Sequence, residues 1–126
     1  MATKKYVMKS DNVSFEDGTN NAEHIRDIIS DIEILYSNIQ DNNDICMQLY
    51  LIKKNIDEDL ADALQLACET LVQIEQDAGD IIEVVNKVKE NIDKCDKSQE
   101  ADFKSLLKQM KELEKKSRKI MEANLA

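Results

Sequence analysis

The fold is decided by residues 45–95, which read ICMQLYLIKKNIDEDLADALQLACETLVQIEQDAGDIIEVVNKVKENIDKC. Apolar residues recur through this stretch at steps of three or four: Ile45, Leu49, Ile52, Ile56, Leu60, Ala63, Ala67, Leu71, Ile74, Ala78, Ile81, Val85, Val88, Ile92 and Cys95. This spacing keeps one face of an α-helix apolar, and another helix must cover such a face. The stretch therefore predicts a protein built by packing helices together.

The composition of the whole chain favours the same fold class. Its 126 residues include no proline and only two glycines, so few residues are present that end helices. We predict an all-α protein, an elongated antiparallel helical hairpin or bundle with a long second helix and a C-terminal helical extension. Along the chain, this prediction places a partly ordered N-terminal arm at 1–18, the hairpin at 19–97 and the extension at 98–126.

A first helix is predicted over roughly residues 20–40. Its apolar positions repeat at steps of three and four: Ile25, Ile28, Ile32, Leu35 and Ile39. Asn20 and Glu23 suit the start of a helix, where a side-chain oxygen caps free N–H groups and an acid faces the positive end. The polar run at 41–44, DNND, predicts a break after this helix. One longer helix that contains the polar run is the alternative.

The chain must reverse direction within the long stripe, and two places have turn signals. Asn55 to Asp59 contains several capping residues, and the stripe slips there through two consecutive steps of four. Residues 77–80 contain Gly79, which is a weaker helix former than other residues. We place the reversal at Asn55 to Asp59, because the stripe runs in register through Gly79. A hinge at Gly79 is the alternative.

No residue cluster predicts a reaction or a metal site. Cys46, Cys68 and Cys95 lie in or beside the stripe, so we interpret them as small buried hydrophobes in a reducing compartment rather than as a disulfide or redox pair. His24, the single histidine, is expected to be solvated or to cap the first helix. The carboxylates lie on polar helix faces without a neighbouring nucleophile and base. We predict no catalytic, cofactor-binding or metal-binding residues, and no enzyme.

The sequence contains no run of about 18 to 20 apolar residues long enough to span a bilayer. Its N-terminus, MATKKYVMKS, lacks the apolar segment of a secretory signal. We expect a cytoplasmic protein without membrane insertion. Export by a route that needs no cleaved signal peptide stays open.

The net charge of −9 is distributed unevenly along the chain. Residues 11–83 contain eighteen acidic and three basic residues, whereas residues 84–126 contain eleven basic and eight acidic residues. We interpret this asymmetry as support for an antiparallel fold with a solvated exterior. The alternatives are an acidic face that docks a basic partner protein and a nucleic-acid mimic. Binding to nucleic acid is not expected, because the C-terminal basic residues alternate with acids such as Glu112 and Glu114.

The order of a helix, a polar turn, a long second helix and a polar segment after Ile92 resembles the small helical-hairpin proteins of type VII secretion. These are the WXG-type proteins and the helical partner proteins encoded beside LXG toxins. In that family an aromatic residue followed four positions later by an acid forms part of an export signal. Here Ile92 and Asp96 have the spacing without the aromatic, Phe103 is followed by Leu107, and NIDED at 55–59 replaces the Trp-x-Gly turn.

The resemblance implies a non-catalytic adaptor or targeting factor that binds a helical partner, such as the N-terminal domain of a secreted toxin, and contacts the secretion machinery. The alternatives are a structural homo-oligomeric coiled coil and an acidic inhibitor or antitoxin. Apolar positions beyond the reach of the first helix should remain uncovered for a partner, and acids at the turn should steer encounter. The predicted partner-binding residues are Ile92, Asp96, Phe103, Leu107, Asp57 and Asp59.

Overall fold

The computed structural model describes residues 21–92 and 97–125, which form three helices. They are α1 (Asn21–Lys53), α2 (Glu58–Lys89) and α3 (Lys97–Leu125). Each helix packs against the other two, so the all-α bundle is confirmed. The predicted N-terminal arm at 1–18 lies outside the described residues.

The reversal between α1 and α2 lies where the sequence places it. α1 ends at Lys53, and residue 57 is extended with φ −143° and ψ 103°. The Asp57 carboxylate accepts a hydrogen bond from the Leu60 N–H at 3.1 Å, which satisfies a free donor in the first turn of α2. Glu58 and Asp59 add negative charge at that positive helix end. α2 then continues unbroken through Gly79, so the alternative hinge is not observed.

The predicted break at 41–44 is wrong, because α1 continues through these residues to Lys53. The polar side chains there find partners on the neighbouring helices instead of ending the helix. Asn42 Nδ2 donates to Ser117 Oγ on α3 at 2.9 Å, and Asn43 Nδ2 donates to Glu75 Oε1 on α2 at 3.0 Å. The alternative of one longer helix is the observed one.

The direction of each helix follows from the contacts between them. Lys89 Nζ at the end of α2 lies 3.2 Å from Glu33 Oε2 in the first half of α1, and the later residue Asn43 contacts the earlier residue Glu75, so the two helices are antiparallel. The start of α3 lies beside the start of α1, where Glu100 Oε1 is 3.1 Å from His24 Nε2. α3 therefore runs parallel to α1, and its apolar face closes the core of the bundle.

The core contains the residues that the sequence predicts for the hairpin. Ile28, Ile32 and Leu35 on α1 are buried, as are Leu71, Ile74, Ile81 and Val85 on α2. α3 completes this cluster with four buried side chains: Phe103, Leu107, Met110 and Met121. The predicted C-terminal extension is thus the third helix of the bundle.

Candidate functional site

The structure corrects the premise that apolar residues near the C-terminus stay uncovered. Ile92, Phe103 and Leu107 are buried, with 7%, 4% and 6% of their surface exposed. They are covered because α3 folds back onto α1 and α2 rather than extending away from the hairpin. These three side chains are core residues, and a partner cannot contact them while the bundle is intact.

The three predicted acidic positions have different outcomes. Asp57 and Asp59 are exposed at the start of α2. Asp57 also has a structural role as the cap of α2. Asp96 lies outside the described residues, as does Cys95.

Three of the exposed large apolar side chains lie instead around the turn between α1 and α2, whereas Leu66 and Val84 are exposed farther along α2. Leu51, Ile52 and Ile56, which we call the hairpin tip, have 51%, 58% and 73% of their surface exposed. Ile52 and Ile56 belong to the apolar stripe, so the stripe does not form one covered face in this region. Ile52 lies in the last turn of α1 and Ile56 lies in the turn at residues 54–56, so both are at the end of the hairpin.

A groove of about 330 Å³ continues from this region between the two helices. We call it the α1–α2 groove, and its lining residues are Met47, Tyr50, Gln65, Cys68, Glu69 and Val72. Met47 and Val72 are large apolar side chains with 43% and 41% of their surface exposed. Met47 lies four residues before Leu51 on α1, so the groove and the hairpin tip adjoin on one helix face.

We did not predict the exposure of Met47, Leu51 and Val72, although the sequence contains a signal for it. All three are large apolar residues that lie off the three-four stripe, at positions where a solvated helix face would be polar. Such off-stripe positions are a better indicator of an uncovered surface than the end of the stripe.

A second groove of about 460 Å³ lies between α2 and α3. Five of its nine lining side chains are polar or charged, among them Asp77, Asp80, Glu112 and Lys116, and the other four, which include Val84, are apolar. The mixture of both charge signs does not define one class of ligand. The apolar α1–α2 groove is the better candidate for a binding site.

Two further contacts between buried polar side chains connect the helices. His24 is 4% exposed and lies against Glu100 of α3, so the expectation of a solvated or capping histidine is wrong. It is buried because the first turn of α3 covers the start of α1. Cys46 and Cys68 are both buried, and their Sγ atoms lie 2.9 Å apart across α1 and α2.

Among the described residues, no group of three or more His, Cys, Asp or Glu side chains is arranged to hold a metal ion. In the same part of the chain, no helix combines the length and the apolar character needed to cross a membrane. Comparison with protein-family models, curated proteins and solved structures found no match to this chain.

Proposed function

We propose that this chain is a non-catalytic adaptor that binds an amphipathic helix of another protein. The occupant would lie in the α1–α2 groove and against the hairpin tip. The observation that carries the proposal is the exposure of Met47, Leu51, Ile52, Ile56 and Val72 in one region of the bundle. Clustered apolar side chains on a soluble surface are typical of protein interaction sites, and an apolar groove between helices suits a helical ligand.

The charges around this surface favour a basic partner. Asp57, Glu58, Asp59 and Asp62 are exposed at the start of α2, and Glu69 lines the groove. Acidic side chains at the rim of an interface mainly accelerate encounter with a basic ligand and add little to the lifetime of the complex. We therefore expect the bound helix to have an apolar stripe flanked by lysine or arginine.

Within this proposal, the resemblance to type VII secretion partners supports a more specific role. The ligand would be the helical N-terminal domain of a secreted toxin, and the complex would be presented to the secretion machinery. The adaptor would act in the cytoplasm or leave with its cargo without a cleaved signal peptide. The antiparallel pair α1 and α2 has the hairpin form of that family, and α3 is an addition to it.

The same apolar surface also supports the second candidate, a homo-oligomer in which two copies cover each other's hairpin tip. The clustering of exposed Ile56 with exposed Leu51 and Ile52 is the observation that favours it, since contiguous apolar surface on a soluble protein is typical of an interface. An inhibitor or antitoxin that uses the acidic face remains a third proposal.

The proposal is tested with two matched valine variants on the same helix. Val72 lines the α1–α2 groove and Val84 lies outside it, and their exposed fractions are similar, at 41% and 47%. The experiment compares wild-type, Val72→Ser and Val84→Ser baits in pull-downs from source cells, followed by dissociation rates with the recovered protein. We expect faster dissociation for Val72→Ser alone.

Equal binding by both variants would overturn the groove as the binding site. Sedimentation of the purified chain separates the two candidate functions. A concentration-dependent dimer that Val72→Ser disrupts, with no other protein recovered, would select the homo-oligomer over the adaptor.

The role of the acidic rim is tested by the double variant Asp57→Asn and Asp59→Asn. Asparagine is also a good helix cap, so this variant removes charge while α2 keeps a capping side chain. We expect slower association at low salt with an unchanged dissociation rate, measured by surface plasmon resonance with the recovered partner. Unchanged association would show that these acids do not face the partner.

A further inference from the structure

Cys46 and Cys68 are placed against each other across the interface of α1 and α2. The Cys68 thiol donates to Cys46 Sγ, and the sulfur atoms are 2.9 Å apart. The Cys46 thiol lies 3.8 Å from the Leu64 carbonyl oxygen, which accepts its weak hydrogen bond. Each sulfur therefore already has the other as its nearest polar neighbour.

Little movement separates this arrangement from a covalent bond. A disulfide has a sulfur–sulfur distance of about 2.05 Å, so the two atoms must approach by less than about 1 Å. The two residues are 22 positions apart, and the chain between them contains the turn at 54–56. A bond here would close that turn into a covalent loop.

The two thiols differ in access from solvent. Cys68 lines the α1–α2 groove, whereas Cys46 is 1% exposed and does not line it. Burial, together with the Cys68 thiol beside it, raises the pKa of Cys46 to about 12, so Cys46 stays protonated near neutral pH. A small reagent that enters the groove therefore meets Cys68 first.

We propose that Cys46 and Cys68 form a reversible disulfide between α1 and α2, with hydrogen peroxide as the oxidant. The Cys68 thiolate attacks one peroxide oxygen, the O–O bond breaks, and the departing hydroxide takes up a proton to become water. Cys46 passes its proton to the sulfenic oxygen as its sulfur attacks the sulfenic sulfur of Cys68. The S–O bond breaks, and the protonated oxygen departs as a second water.

Over these two reaction steps, the two thiols lose two electrons and one peroxide is reduced to two waters. A dithiol reductant restores both thiols by exchange through a mixed disulfide. This proposal does not rest on the groove binding a partner. Because Cys68 lines that groove, oxidation also fixes the spacing of its two walls.

The test uses the full-length chain with Cys95→Ser, which leaves the proposed pair as its two cysteines. After treatment with hydrogen peroxide, the intact mass should fall by two hydrogen atoms. Digestion without reductant should yield one peptide that joins Cys46 to Cys68. We expect the melting temperature to rise by about 10 °C, from restriction of the unfolded chain, and dithiothreitol should reverse the rise.

Two variants test the order of the steps, with far-UV circular dichroism confirming that each remains helical. Cys46→Ala should stop at the sulfenic acid, which dimedone traps on Cys68. Cys68→Ala should leave Cys46 reduced under the same peroxide treatment. The proposal is overturned if both thiols of the Cys95→Ser chain remain open to alkylation after oxidation and unfolding, or if the cross-link joins two chains.

Discussion

Gly79 is a residue where a side chain can be added without a clash. It lies in the interior of α2, and a Cβ added there would be 3.8 Å from Tyr36 Oη, an ordinary van der Waals distance. Glycine in a helix interior costs about 0.5 to 1 kcal/mol relative to alanine. We therefore expect Gly79→Ala to raise the free energy of unfolding by that amount, measured by urea denaturation.

Ala63→Gly is the matched control, because Ala63 is an exposed position in the interior of the same helix. This change should lower the free energy of unfolding by a similar amount. If Gly79→Ala destabilises the chain, residue 79 is packed more tightly against α1 than the structure indicates.

The burial of Cys46 makes the free energy of unfolding depend on pH in the alkaline range. Its pKa is raised from 9.0 to about 12 by burial and by the adjacent Cys68 thiol. Below pH 9 the Cys46 thiol is protonated in both the folded and the unfolded chain. Its contribution to the free energy of unfolding is therefore fully present. Between pH 9 and 12 the thiol ionises in the unfolded chain before it ionises in the folded one, so the contribution is lost as pH rises.

We expect the free energy of unfolding of the wild type to fall relative to Cys46→Ala between pH 8 and 11, by up to about 1.4 kcal/mol per pH unit above pH 9. The comparison is made by urea denaturation with reductant present, so that no disulfide contributes. A difference that stays constant over this range would show that folding does not raise the Cys46 pKa.

At the scale of elements, the polar run in α1 shows why local signals misplace a helix end. Residues 41–44 read as a turn, since asparagine and aspartate compete with the helix for backbone hydrogen bonds. In the folded chain Asn42 and Asn43 bond to Ser117 and Glu75 instead. Those partners are 75 and 32 positions away, so no window of sequence around the run contains them.

Asn43→Ala tests this explanation. Asn43 also lies 3.4 Å from the Leu71 carbonyl, so the substitution removes the side-chain contacts that join α1 to α2 at this level. The control is Asn86→Ala, an exposed position in α2 where alanine improves helix propensity by a few tenths of a kcal/mol. Asn43→Ala should be about 1 kcal/mol less stable than the control variant, by urea denaturation. Equal stabilities would mean that α1 is continuous for another reason.

For the whole molecule, sequence predicted the helices and the reversal better than it predicted the packing. The cap at Asp57 and the three-four spacing are local, so the turn and the faces of α1 and α2 could be inferred from them. The position of α3 depends on contacts across the whole chain, such as Glu100 against His24. The sequence therefore placed Phe103 and Leu107 at a partner surface, although both are buried, and it did not predict the exposure of Met47 and Val72.

Because the three helices pack around one core, a charged side chain inside that core should unfold the whole protein. Ile32 is fully buried in the cluster that α1, α2 and α3 share, whereas Ile52 at the hairpin tip is 58% exposed. A carboxylate at residue 32 would be removed from water without a partner, at a cost comparable with the roughly 5 to 15 kcal/mol that holds a small domain folded. We expect Ile32→Asp to abolish the cooperative thermal transition seen by circular dichroism. Ile52→Asp, the same change at an exposed site, should alter stability by less than about 0.5 kcal/mol. If Ile32→Asp melts cooperatively within a few degrees of the wild type, residue 32 lies outside the core. If both variants unfold, the hairpin tip is covered as well.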